Sequence, residues 1–169
     1  MKKRFLSWLL VLTMVISLIP STLVTTALAA LAASDGVGIT GATALADDTN
    51  PVESAGVYKI SGDRQNPVKI TATDEVVLVL DGVTITTATS PIELGDGAKV
   101  TLVVKDNTTN VLTCTATNLT TDNSGKTAGI LVPETAVLTI DRVQGADGTG
   151  SLTVTGGYGG AGIGGAATL

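Results

Sequence analysis

The sequence contains no histidine and a single cysteine, Cys114. With no histidine and no Ser-centred nucleophile motif, nothing supplies the base that an activated nucleophile needs. One cysteine also leaves no internal disulfide, so stability has to come from packing. Cys114 lies in Leu112-Thr113-Cys114-Thr115-Ala116 with the parity of Leu112 and Ala116, which reads as a small buried hydrophobe on an inner face. Aromatics are nearly absent: Phe5, Trp8, Tyr58 and Tyr158 are all there are. An ordinary compact core would use many more, so volume must be filled by Val, Ile, Leu, Thr and Ala. Repetitive β stacking fills it that way.

Basic residues are also scarce, ten against fifteen acids. Three of the ten, Lys2, Lys3 and Arg4, precede an apolar run from Phe5 to Ile19 that Pro20 breaks. Ala27-Leu28-Ala29 then offers a small-residue cleavage site, and the whole reads as a secretory signal peptide over 1–29. Ser21, Thr22, Thr25 and Thr26 interrupt the apolar stretch, so it falls short of the roughly 20 residues a membrane helix needs. Loss of 1–29 leaves seven basic residues against fifteen acids, a net charge of about −8. Nucleic acid and anionic lipid both require a basic footprint, so neither is expected as a partner. The expected location is extracellular, at the cell surface.

What is present is a succession of short β-branched runs closed by turn residues. Residues 30–52 show no sustained period and read as a flexible leader. Order is expected from 53 to 169. Val68 and Ile70 share a face, as do Val76, Leu78 and Leu80, and then Val83 and Ile85 beyond the Asp81-Gly82 turn. The set recurs with Ile92-Glu93-Leu94, Lys99–Val104 and Asn110–Cys114, and again with Gly129–Val132, Ala136–Ile140 and Ser151–Thr155. Units open at Val68, Ile92, Ile130 and Ile163, intervals of 24, 38 and 33 residues, with the excess in polar loops at 115–127 and 145–150. Periods of about 20 to 50 residues mark stacked arrays. The fold class expected is all-β, a right-handed parallel β-helix with three short strands per rung; a β-sandwich is the alternative. The chain stops just after its fourth unit opens, and no polar cap is visible there. That reads as a truncated C-terminal end, or as a terminal rung free to pair end to end with another molecule.

GVYKISG, VVLVLDGVTI, VTLVVKDNTTNVL, AGILVPETAVLTI, GSLTVTGG and GAGIGG together cover most of residues 55–165. In these stretches the chain resembles the exported, repetitive β-helix segments of Gram-positive, gut-type bacterial surface proteins, some of them labelled carbohydrate-binding domains. The resemblance implies a pectate-lyase-like β-helix, secretion and binding to a plant or host polysaccharide, sometimes with calcium. It places no binding residue on this chain.

Three aspartates each follow the middle strand of a unit: Asp81, Asp106 and Asp141. Stacked in register they would form a column about 4.8 Å apart, and calcium, which takes several oxygen ligands, would relieve their repulsion. A bare turn-forming role is the competing reading. Tyr158, alone in the turn TGGYGGAGIGG, is the candidate sugar-stacking residue. The glycines around it read as tight turns with positive φ rather than as a phosphate cradle, because no helix follows and no lysine is near. Two tyrosines do not make the aromatic row that crystalline polysaccharide usually needs, so soluble or acidic glycans suit better. The expected function is a non-catalytic, carbohydrate-binding surface module. A structural stalk or adhesin segment without a small ligand is the alternative, and a polysaccharide lyase a second one, resting on the adjacency of Arg142 and Asp141.

Overall fold

The computed structural model describes residues 41–48, 50–142 and 149–169. The signal segment 1–29, residues 30–40 and most of the 145–150 loop lie outside them. Among the described residues the protein is all-β. The strands are β1 (Thr43–Ala44), β2 (Gly56–Arg64), β3 (Val68–Ile70), β4 (Glu75–Thr87), β5 (Ile92–Leu94), β6 (Lys99–Val104), β7 (Thr109–Cys114), β8 (Ile130–Leu131), β9 (Val137–Arg142), β10 (Ser151–Thr155) and β11 (Ile163–Gly164).

Every ladder between these strands is parallel. One path runs β1-β2-β4-β6-β9, and β7 and β10 branch from the second half of β4. A separate sheet runs β3-β5-β8-β11. Strand order follows chain order in each, so each sheet gains a strand with every repeat. The four positions at which the units open are true partners: Val68 pairs Ile92, Ile92 pairs Ile130, and Ile130 pairs Ile163.

Parallel register turns the alternation along each strand into columns through the molecule. Val76, Val100 and Leu138 stack, as do Tyr58, Leu78, Leu102 and Ile140. With Ile85, Leu112 and Val154 from the branch, and Val68, Ile92 and Ile130 from the separate sheet, all of them except the exposed Ile140 belong to one aliphatic core or pack against it. Cys114 is free and buried. Val77, Val79 and Val103 have the opposite parity and form a second, smaller buried cluster, with Val57 packed against it.

A corner separates the two halves of each long unit, and it is set by residues that tolerate left-handed backbone. Gly62 (φ 69°), Gly82 (φ 70°) and Asn107 (φ 57°) each stand at it. The corner also lengthens down the stack. Only Ser61 intervenes in β2, Asp81 and Gly82 in β4, then residues 105–109 between Val104 and Asn110. Asn110 ties these corners together. It is fully buried; its Oδ1 accepts from the N–H groups of Gly82 and Val83, both at 3.0 Å. Its Nδ2 donates to Thr108 Oγ1 at 3.0 Å and to the Ser151 carbonyl at 3.1 Å, one strand further on.

The stack starts earlier than the boundary expected at residue 53. β1 pairs with Tyr58 and Lys59, the Leu45 N–H donates to Lys59 O at 2.9 Å, and Val52 N–H donates to Lys69 O at 2.8 Å. Leu45 and Val52 are buried. Residues 41–48 and 50–52 therefore cover the first end of the core. They show no strand period because only short pieces pair: Thr43 and Ala44 with Tyr58 and Lys59, and Val52 with Ile70. Arg64, at the head of the Ile85 column, is 4% exposed and donates to the carbonyls of Leu45 (2.8 Å) and Ala46 (2.9 Å). At the other end β9, β10 and β11 each have a single ladder partner, and Val137, Ile140 and Ile163 are exposed.

Candidate functional site

The three aspartates do not stack. Leu80 pairs Val104 and Val104 pairs Arg142, so the position beside Asp81 is held by Lys105. Lys105 Nζ donates to Asp81 Oδ1 at 2.8 Å, and Lys59 Nζ lies 3.9 Å from Oδ2. Asp106 falls one residue later, buried at the corner with no hydrogen-bond partner for either oxygen. Asp141 pairs Val103, two positions earlier, and its Oδ1 accepts from the N–H of Arg142 at 2.7 Å. Asp141 lies within β9 and Asp106 follows Lys105, so the three aspartates stand at different distances from the strand positions that pair. These residues do not fit calcium as a set: Asp81 is already neutralised by two ammonium groups, and the other two sit on different rows. Among the described residues no group of three carboxylate, histidine or cysteine side chains stands close enough to hold a metal.

Charge instead changes sign from strand to strand. Lys69 and Glu93 are partners in register with Nζ and Oε2 3.4 Å apart, and Glu75 pairs Lys99. Like charges at one strand spacing repel by roughly 1 kcal/mol in water, and the alternation removes that term. The first end follows the same rule. Asp47 accepts from the backbone N–H of Gln65 (3.0 Å) and of Asn66 (3.3 Å) and lies 3.5 Å from Arg64 Nε. The Gln65 N–H, foremost, with Asn66 and the Arg64 guanidinium, holds its carboxyl below the ordinary value against a smaller opposing effect of burial.

Tyr158 is exposed on the turn between β10 and β11, with its N–H donating to the Ala116 carbonyl at 2.8 Å. The surrounding glycines serve a different purpose from the one expected. Only Gly159 has positive φ in Gly156–Gly160. At Gly156 a Cβ would collide with the Ala161 carbonyl, at Gly157 with Cys114 Sγ, and at Gly160 with the Thr127 carbonyl. These glycines let the turn lie flat on the loop 115–127.

The feature that the apolar pattern did not reveal is the outward face of the branch formed by the second half of β4, β7 and β10. Thr86, Thr113 and Thr155 stack in register as one column. Thr84, Val111 and Thr153 form the next, and Thr109 and Ser151 a third. All eight are exposed or half-exposed. The hydroxyls of Thr84, Thr86, Thr113, Thr153 and Thr155 make no hydrogen bond to another described residue. The grid repeats about every 4.8 Å across strands and about 6.6 Å along them. Its signal in the sequence is T-x-T, with threonine on the parity opposite to Ile85 and Val154. Tyr158 follows Thr155 by three residues, just beyond one end of this face.

Compared with known proteins, residues 46–169 match the family described as carbohydrate-binding domain-containing protein. The match covers well over half of the chain, which therefore belongs to that family. No curated protein and no solved structure matches it.

Proposed function

We propose that this chain is a non-catalytic, extracellular module that binds polysaccharide, exported by its first 29 residues and built as a right-handed parallel β-helix. Membership of a carbohydrate-binding family over residues 46–169 is the observation that carries the reading. The parallel ladders support the architecture, because each sheet adds its strands in chain order, as a coil does on each return. Parallel connections within one sheet are right-handed in nearly all proteins. The calcium expectation gains no support from the aspartate positions. Probing an array of soluble plant and host polysaccharides with the purified chain, with and without a chelator, tests the reading. Selective retention on some glycans supports it, and uniform silence overturns it.

A second reading, a structural segment that joins other β-rungs, is favoured by one observation. Among the described residues β9, β10 and β11 each have one ladder partner, and Val137, Ile140 and Ile163 on them are exposed. Silence on the array together with concentration-dependent self-association would select it.

A further inference from the structure

We infer that the threonine grid on β4, β7 and β10 is the carbohydrate-binding face, and that its ligand is a neutral, extended polysaccharide rather than an acidic one. The inference rests on the carbohydrate-binding reading and narrows it to a surface and a ligand class.

The grid itself carries no charge: its columns are threonine, serine and one valine. The residue in register above Thr84 is Asp63, a carboxylate at the head of the middle column. An acidic glycan laid on this surface would meet that carboxylate and a mature chain of net charge about −8, with no cation among the grid positions to offset them. A neutral glycan meets no such penalty. Each threonine offers one donor and two acceptor lone pairs, the complement of a sugar hydroxyl, and a methyl group against which a sugar's C–H face can pack. Because these hydroxyls are not engaged within the described protein, binding requires no internal bond to break. Threonine is β-branched and stiff at χ1, so little side-chain freedom is lost when a ligand is held. A regular two-dimensional array matches a ligand that repeats along its length, which sets a polymer apart from a single sugar.

The other outward face has different properties. Its charges are already paired across strands, as Lys59, Asp81 and Lys105 are, and its valines Val77, Val79 and Val103 are buried. Of its two threonines Thr101 is bonded to Glu75, which leaves Thr139 alone rather than a grid.

The test is affinity electrophoresis of the purified chain through gels containing galactomannan, xylan, mixed-linkage glucan or polygalacturonate. The variant replaces Thr86, Thr113 and Thr155 together by valine, which keeps the shape and strand preference and removes the hydroxyls. A matching Thr→Ser triple variant keeps the hydroxyls. Expected are retention of the parent chain on at least one neutral polysaccharide, a loss of about tenfold or more in the valine variant, as removal of several hydrogen bonds entails, and substantial retention in the serine variant. Equal retention of parent and valine variant overturns the assignment of the face. Binding to polygalacturonate alone overturns the ligand class while leaving the carbohydrate-binding reading intact. Retention on no polysaccharide overturns that reading as well.

Discussion

Two outward faces of this protein share one backbone register and use it differently. On the β2-β4-β6-β9 side the outward residues are charges paired across strands, as Lys59, Asp81 and Lys105 are, buried valines, and two threonines, Thr101 and Thr139. On the β4-β7-β10 side they are hydroxyl-bearing, uncharged and open. The inner columns of both are the same continuous Val, Ile and Leu. What differs is whether the outer groups satisfy one another. The first face has paired those charges internally, and Thr101 donates to Glu75 Oε1 at 3.4 Å, so it leaves few polar groups for a ligand. On the second, five threonine hydroxyls bond to no other described residue. In a repetitive fold, where every strand has the same geometry, function is placed by the side chains that the stack does not use.

The comparison can be broken most severely from inside. Leu102 is fully buried between Leu78 and Ile140, in a column common to the whole stack. Leu102→Ala should lower unfolding stability by about 3 kcal/mol, measured by urea titration. Next is the corner where the faces join. Asn110→Ala strips partners from the N–H groups of Gly82 and Val83 and from the Ser151 carbonyl, and should cost about 2 kcal/mol in the same titration. It should also raise amide exchange at 82–83 and 151 more than at 99–104. A uniform rise would show that Asn110 does not couple the two halves.

Smaller effects are expected where charges are paired near the surface. Asp81→Asn leaves Lys59 and Lys105 facing each other and should cost less than about 1 kcal/mol, diminishing further in high salt. Glycan retention should not change, which sharpens the distinction between the faces. Asp47 gives a directional pH effect. Its carboxyl is lowered in the folded state, so its contribution is complete above the unfolded value near pH 4 and is lost as pH falls through the lowered folded value. The protection of the amides of residues 65 and 66, taken relative to their intrinsic exchange at each pH, should therefore fall on acidification below about pH 4 in the parent chain. Asp47→Asn should flatten that dependence.

Much of the stack is legible in the residue pattern alone, because burial on one side of a strand writes a period of two into the chain. The opening positions Val68, Ile92, Ile130 and Ile163 are in register as the spacing implies, and Ser151–Thr155 is a strand with the bounds its alternation indicates. The corner carries no such period. It grows from Ser61 alone to residues 105–109, and the aspartates are already misaligned before it, because Leu80 pairs Val104 whereas Ile140 pairs Leu102. Residues 43–48 and 50–52 resemble a leader in sequence because only Thr43–Ala44 and Val52 pair in them, too few positions to write an alternation. The threonine columns are hidden for another reason. Threonine is a good strand former wherever it sits, and only the register shows that Thr86, Thr113 and Thr155, 27 and 42 residues apart, are neighbours. The glycines at 156, 157 and 160 are required by contacts with Ala161, Cys114 and Thr127, which no local pattern announces.

The most direct measurement is amide hydrogen exchange of the purified chain with and without the neutral polysaccharide that retains it best. Binding at the threonine face should slow exchange within residues 84–87, 109–114 and 151–155 and leave 99–104 and 137–142 unchanged. Protection confined to 99–104 and 137–142, with the threonine strands unaffected, would contradict the account.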